Sequence, residues 1–393
     1  MYQLRRTAPW IVVALVLALS NRSMASDPPY EINVVLSQTG SGAFLGTHET
    51  AAIGVLEKVV NARGGIGGRL VHFTFQDDQT TPSVAVQLTN GLIAKRVPAI
   101  IGSSLAATCS AMAALVAKAG PVQYCVSPII RGAPGGFVYS ASAGSDSIAA
   151  VLARFYREHG WTRIALITST DASGSDFEKQ FDAALALPEN KPMQLLDREH
   201  FNATDLSVAA QMARIKASGA QALVTFTTGT PLGTLLHGVH DAALDIPVSA
   251  SGGNMIYEQM AGYKGFTPRR LFFAATRGVA PDPLLRPGPI QDAQKAYFAA
   301  FKAAGIRPDF ASSLVWDPGM IIVNALRATG PDATAAQLHE WIQKLHSWAG
   351  IDGIYDFRDD SQRGIGQNAM IVYSWDDAKE TFAVASHAAG HLK

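Results

Sequence analysis

The chain has 393 residues, 48% of them hydrophobic and 16% charged, which excludes an intrinsically disordered protein and suggests two globular domains of similar size. Basic and acidic residues balance at 32 each. Residues 1–25 hold three arginines and no acid, so without them 29 basic residues face 32 acidic ones, and the charge balance of a nucleic-acid-binding protein is excluded.

Residues 1–25 read as a secretory signal peptide. Arg5 and Arg6 form its positive start, residues 10–19 its apolar stretch, and Ser23-Met24-Ala25 offers the small residues of a cleavage site after Ala25. About ten apolar residues are too few to cross the roughly 30 Å core of a bilayer as a helix. Two cysteines, Cys109 and Cys125, then remain in an exported chain, where disulfides form. A disulfide between them is expected, with two buried thiols as the alternative, because the sequence does not supply the Cα separation.

The first strand, residues 31–37, runs into a glycine-rich loop (Gly40, Gly42, Gly46) and a long helix over 49–62. A second strand (70–75) stops at Asp77-Asp78 and is followed by a helix over 83–94. The apolar run 97–101 reads as a buried parallel strand that leads through Ile101-Gly102-Ser103-Ser104-Leu105-Ala106-Ala107-Thr108 into an alanine-rich helix over 109–119. That loop caps the carboxyl end of a central strand, where open α/β sheets bind ligands. Its hydroxyls (Ser103, Ser104, Thr108) and the free amides of a helix start suit a carboxylate, and plain helix capping is the alternative. Strands at 122–126 and 137–140 complete the first half.

From about residue 142 the pattern starts again. Helices over 148–159, 176–185, 206–217 and 231–243 alternate with strands over 163–168, 193–199, 222–227 and 247–251. The fold class is therefore α/β, with two doubly wound Rossmann-like lobes built on parallel sheets. After a strand at 271–275, three successive helical patterns (290–304, 315–329, 334–345) serve to cover the first sheet, and strands near 354–357 and 369–375 close the chain.

Motifs for catalysis are not supported. The three glycines with Asp77 or Asp78 have the layout of a dinucleotide site, but the spacing is loose and the acid lies beyond the roughly twenty residues such a site uses. A glycine-rich ligand loop fits better, and no cofactor is expected. His237 and His240 sit three apart on one helix with no acid to complete a metal site. No Gly-x-Ser-x-Gly elbow occurs, and Ser145-Asp146 and Asp171 with Ser173 are turn and cap chemistry.

Leu36-Ser37-Gln38-Thr39-Gly40 with Phe44-Leu45-Gly46, the run Asn61-Ala62-Arg63-Gly64-Gly65-Ile66-Gly67-Gly68-Arg69, then Gln76-Asp77-Asp78-Gln79 and Ile101-Gly102-Ser103-Ser104 fall in the order that resembles the leucine/isoleucine/valine-binding family. These are type I periplasmic binding proteins of ABC importers. The resemblance runs from about Tyr30 to the end and implies three crossovers, near Gly144, Thr276 and Gly364. Residues 26–144 and 277–364 would then form one lobe, and 145–276 and 365–393 the other, with ligand in the cleft between them. It also implies a periplasmic monomer that delivers a small molecule to a permease and its ATPase. An exported sensor feeding a histidine kinase or chemoreceptor would use the same fold, and so would an enzyme on this scaffold.

The implied carboxylate contacts are Ser104, Ala106, Ala107 and Thr108 with neighbouring Ser103, and the loop holding Ser127, Ile129 and Arg131. Phe44 or Leu45 takes the family's aromatic position. Tyr139, Ser142, Thr228, Gly252 and Asn254 are the implied contacts from the second lobe. Arg131 and Arg277 follow strands and are candidates for pairing with a carboxylate, or else surface arginines. Phe44, Phe310 and Trp316 are candidates for stacking on an aromatic ring, with core packing as the alternative for Phe310.

The chain departs from the family at one point. Amino-acid-binding members resemble one another in placing an acid in the loop 251–254 to pair with the ligand's α-ammonium, and here Gly252 and Gly253 stand there. An unpaired buried ammonium costs on the order of several kcal/mol. The expected ligand is a small carboxylate, aromatic or otherwise, that lacks an α-amino group. If Glu258 or Asp171 reaches the cleft, a branched-chain amino acid is the alternative.

Overall fold

The computed structural model describes Tyr2, residues 28–360 and residues 362–393. Apart from Tyr2, the expected signal peptide lies outside the described residues.

Five strands form the first sheet: β1 (Tyr30–Leu36), β2 (Val71–Asp77), β3 (Ala99–Gly102), β4 (Val122–Cys125) and β5 (Val138–Ser140). Their order is β2-β1-β3-β4-β5, and every neighbouring pair is parallel. Val34, Val35, Leu36, Ile100 and Ile101 are all buried, as expected of strands covered on both faces. The helices α1 (Ala43–Ala62), α2 (Pro82–Ala94) and α3 (Ala106–Val116) make the crossovers. Helix α1 begins six residues before its apolar periodicity predicts, because Ala43 to Thr47 continue the turn of Gly40–Gly42.

The second sheet follows α4 (Ser145–Glu158) and contains β6 (Arg163–Ser169), β7 (Gln194–Phe201), β8 (Ala222–Phe226), β9 (Val248–Ser251) and β10 (Leu271–Thr276). The intervening helices are α5 (Ala172–Leu185), α6 (Ala209–Ser218), α7 (Pro231–Asp241) and the short α8 (Tyr257–Ala261). Two further strands, β13 (Met370–Asp376) and β14 (Thr381–Val384), give the order β14-β13-β10-β9-β8-β6-β7. Strands β6 to β10 pair in parallel, whereas β13 and β14 form an antiparallel edge hairpin. Strand β14 has four residues, too few to stand out as a run, and was not expected.

Between β10 and β13 come α9 (Pro289–Ala304), α10 (Phe310–Thr329), α11 (Ala335–Lys344) and a small ribbon of β11 (Trp348–Ala349) and β12 (Ile354–Tyr355). These helices do turn back to the first sheet: α10 packs on α1 and β3, and α11 on β4. Gly319 makes the α1–α10 approach possible, since a Cβ there would stand 2.3 Å from Leu56 Cδ2. Trp316, on the same helix, packs edge-on against Tyr297 in the core.

The segments that run between the two sheets are pinned by buried polar groups. Arg363 donates to the carbonyl oxygens of Ile130 (2.7 Å), Ala141 (3.2 Å) and Ser142 (2.9 Å). Asp317 accepts the amides of Ile351 and Asp352 at 3.0 and 3.1 Å, and Asp352 in turn accepts the amide of Gly278 at 3.0 Å. Burial raises the pKa of both acids, Asp317 to about 6.

Cys109, in the first turn of α3, is joined to Cys125 at the end of β4, with 6.0 Å between their Cα atoms. The bridge closes a 16-residue separation, for which chain entropy gives about 3 kcal/mol. A C109A/C125A variant is expected to lose about that much unfolding free energy in urea titrations. A thiol assay on the denatured wild type should find no free cysteine.

Candidate ligand cleft between the two sheets

The carboxyl ends of both parallel sheets open onto one cavity of about 520 Å³. From the first sheet it is lined by Ser41, Phe44 and Leu45 after β1, by Ser104 to Ala107 after β3, and by Ser127 to Ile129 after β4. From the second sheet come Asp171 to Ser173 after β6, Ala203 and Thr204 after β7, Thr228 to Pro231 after β8, and Ser251 to Gly253 after β9. Ser142, Ile148, Phe226, Ala274, Ala275, Phe310, Leu314 and Met370 fill the remaining wall.

The wall is apolar with interspersed hydroxyls. Among the described residues that line it, Asp171 alone is ionisable. Leu105 precedes α3 without capping it through a side chain, so the amides of Ala106 and Ala107 have no partner inside the helix. These donors, with the helix dipole behind them, favour an anionic oxygen. Phe44 reaches across the cleft: a Cβ on Gly229 would lie 3.0 Å from its ring, so Gly229 leaves the space the ring occupies.

Of the residues expected from the sequence, Phe44, Leu45, Ser104, Ala106, Ala107, Ser127, Ile129, Ser142, Thr228 and Gly252 lie on this wall. Six others do not. Ser103 and Thr108 are buried beneath the loop, where Ser103 Oγ bonds to Asp78 and lies 2.8 Å from Thr108 Oγ1. Tyr139 points away into the first sheet's helical cover, with its hydroxyl 2.7 Å from His339 Nδ1. Asn254 is a scaffold residue that accepts the Gly229 amide and donates to the Thr227 carbonyl, both at 2.7 Å.

Neither arginine meets the cavity. Arg131 is turned outward to Asp146 (3.2 Å) and Ser145 Oγ (2.9 Å). Arg277 is held by Asp282 (3.3 Å) and the carbonyl of Asn368 (3.0 Å). Both follow strands, but a local acid captures each one, and nothing in the strand pattern reveals that.

Of the two acids that the sequence left open, Glu258 is exposed and faces His48 rather than the cavity. His48 Nδ1 lies 2.6 Å from Asp309 Oδ2 and its Nε2 3.7 Å from Glu258. Its hydrogen bond to Asp309 raises its pKa. Asp171 does reach the wall. Its Oδ1 caps α5 by accepting the amides of Ser173 (2.9 Å) and Gly174 (3.0 Å), and it also takes the Ser173 hydroxyl (2.6 Å).

Behind the β3 loop lies a buried polar cluster that the sequence reading missed. Ser104 Oγ accepts the Ser37 amide at 3.1 Å and contacts Glu49 Oε2. Glu49 is fully buried; burial pushes its pKa up to about 8, with Asp309 and Asp78 adding to the rise and the Ser104 contact opposing it. A glutamate at an interior position of a helical apolar face was the available signal. Thr204 and Met370 were also missed as wall residues; the strand that Met370 opens was expected, but not its antiparallel pairing with β10.

Two sheets with a hydroxyl-lined cavity between their carboxyl ends define a solute-binding architecture. The chain belongs to the periplasmic binding protein family, whose profile matches residues 29–380. It is similar in structure to an extracellular ligand-binding receptor from Rhodopseudomonas palustris HaA2, with a TM-score of 0.80 and 21% identity over 91% of this chain and 99% of the other. Two further similar structures are the LivJ branched-chain amino acid binding protein of Streptococcus pneumoniae with isoleucine and the leucine binding protein LivK of Thermotoga maritima. Each has a TM-score of 0.75 and 17% identity over 91% of this chain, and 99% and 97% of the respective partners is covered. Comparison with curated protein sequences gives no match.

Replacing Asn254 by alanine leaves the Gly229 amide and the Thr227 carbonyl without their partner. Asn254→Ala is expected to cost about 3 kcal/mol of stability, measured by urea unfolding, because two buried backbone groups lose their bonds at once.

Proposed function

We propose that this protein is the periplasmic receptor of an ABC importer and that it binds a small carboxylate lacking an α-amino group. The observation that carries the reading is the wall chemistry: hydroxyls and free α3 amides on one side, Gly252 and Gly253 on the other, and no cation among the described residues. The ligand's charge is met by neutral donors, and its body by Phe44, Leu45, Ile129, Phe226 and Phe310. Aromatic carboxylates fit the size and lining of such a site.

In this reading cleavage after Ala25 releases a monomer with two lobes, 26–144 with 277–364 and 145–276 with 365–393. Ligand that binds the closed arrangement more tightly than the open one shifts the population toward closure. The closed form is what a permease and its ATPase would receive.

Asp171 supports a second reading. It stands on the wall with one oxygen committed to its helix cap, so a leucine-like ligand with an α-ammonium is the rival.

A thermal-shift panel of 3-phenylpropionate, phenylacetate, benzoate, short aliphatic carboxylates, leucine, isoleucine and phenylalanine separates them, since the midpoint rises with RT ln(1 + [L]/Kd). The expected outcome is a larger rise with a non-amino carboxylate than with any amino acid. Ser104→Ala is expected to weaken that carboxylate about tenfold, the worth of one hydrogen bond to a charged group. Stabilisation by leucine that Asp171→Asn abolishes would instead establish the amino-acid reading.

A further inference from the structure

Glu49 belongs to α1, and its side chain is fully buried behind the β3 loop. Its surroundings are acidic. Asp78 lies at the end of β2, Asp309 caps α10, and the neighbouring His48 is already engaged by Asp309 and Glu258. No lysine or arginine pairs with Glu49, Asp78 or Asp309 among the described residues.

The three acids differ in how many donors they receive. Asp78 takes three donors: the Ser37 hydroxyl (2.7 Å), the Thr80 amide (2.9 Å) and the Ser103 hydroxyl. Asp309 takes the Ser312 amide and hydroxyl, both at 2.9 Å, besides His48. Among the described residues Glu49 has a single hydrogen-bond contact, through Oε2 to Ser104, and its Oε1 has no partner. A buried carboxylate beside two others with one donor is the group that keeps its proton.

The position of that proton follows from the same geometry. On Oε1 it would be a buried O–H with nothing to bond; on Oε2 it points at Ser104 and leaves only a carbonyl oxygen unpaired. A serine oxygen has two lone pairs and one hydrogen. The Ser104 hydroxyl donates to Glu49 Oε2 when that oxygen is bare; with the proton on Oε2 the direction reverses, one Ser104 lone pair is taken by the Ser37 amide and the other by Glu49, and the hydroxyl hydrogen is left for the cavity that Ser104 lines.

We propose that Glu49 is a positioning residue whose proton sets the polarity of Ser104, making that hydroxyl an obligate donor to the ligand and the β3 loop selective for an oxygen anion over an N–H group. This rests on the reading of the cavity as a carboxylate site and adds its control. When Glu49 loses the proton it needs a donor, Ser104 turns inward to supply it, and a lone pair then faces the ligand's carboxylate. Affinity therefore falls as the pH rises through the Glu49 titration.

The test combines one ligand-free and one binding measurement. In carboxyl-labelled wild-type protein, carbon-13 NMR should show one glutamate titrating with a midpoint of about 8, lost in Glu49→Gln. If no glutamate titrates outside the ordinary carboxylate range, the proposal is wrong, whatever binds. In the second arm, 3-phenylpropionate should bind the wild type about tenfold more weakly at about pH 9 than at about pH 7, the loss of the protonated fraction. In Glu49→Gln, whose amide donates without titrating, that ratio should shrink to within about twofold. An equal pH dependence in both proteins would overturn the link to Ser104. If no carboxylate binds at any pH, the proposed ligand class fails, and with it the selectivity assigned to Ser104. The NMR arm then still decides whether Glu49 holds the proton.

Discussion

Asp78 is the constraint on which the cleft depends. At the end of β2 it receives the Ser37 hydroxyl from the end of β1 and the Ser103 hydroxyl from the end of β3, so one carboxylate ties three adjacent strand ends together. Gly102 completes the tie: a Cβ there would stand 1.8 Å from the Val35 carbonyl, and only glycine lets the β3 end lie against β1. The loop that follows has its hydroxyls committed inward at Ser103 and Thr108, while Ser104, bonded to Ser37 and Glu49, also lines the cavity. The Cys109–Cys125 bridge then fastens the start of α3 to the end of β4, so the amides at the cleft are ordered when the chain folds rather than when ligand arrives.

The second constraint lies in the segments between the sheets. Arg363 gathers three carbonyl oxygens, while Asp317 and Asp352 capture backbone amides. Each arrangement satisfies backbone groups that irregular chain would otherwise bury unpaired. Charges are used here to hold loops, and this accounts for the loss of Arg277 and Arg131 as ligand contacts.

Much of this was legible in the sequence. The alternation of β-branched runs with alanine-rich helices placed β1 to β10 and α1 to α7 within a few residues, because buried parallel strands leave a strong apolar signature. The three late helices were read as returning to the first sheet, and α10 and α11 do pack there. The cleft was legible to the level of its loops, since carboxyl-terminal strand ends converge in any such sheet. Side-chain direction within a loop was not. Ser103 and Ser104 are adjacent and chemically alike, yet one faces the interior and the other the cavity, a difference set by Asp78 and Glu49 from distant parts of the chain. The strand expected at 369–375 is β13, but its antiparallel pairing and its partner β14 escaped notice for a related reason, as the pairing with β10 is long-range and β14 is short.

The cavity wall carries no lysine, arginine or histidine among the described residues. An anion held there is matched by dipoles and hydroxyls, which screen its charge locally but do not cancel it. On the carboxylate reading proposed above, the cargo's charge would stay unneutralised at the wall instead of forming an ion pair there. On that reading, loading would change the electrostatic potential at the cleft, and a docking partner could sort full from empty by that difference.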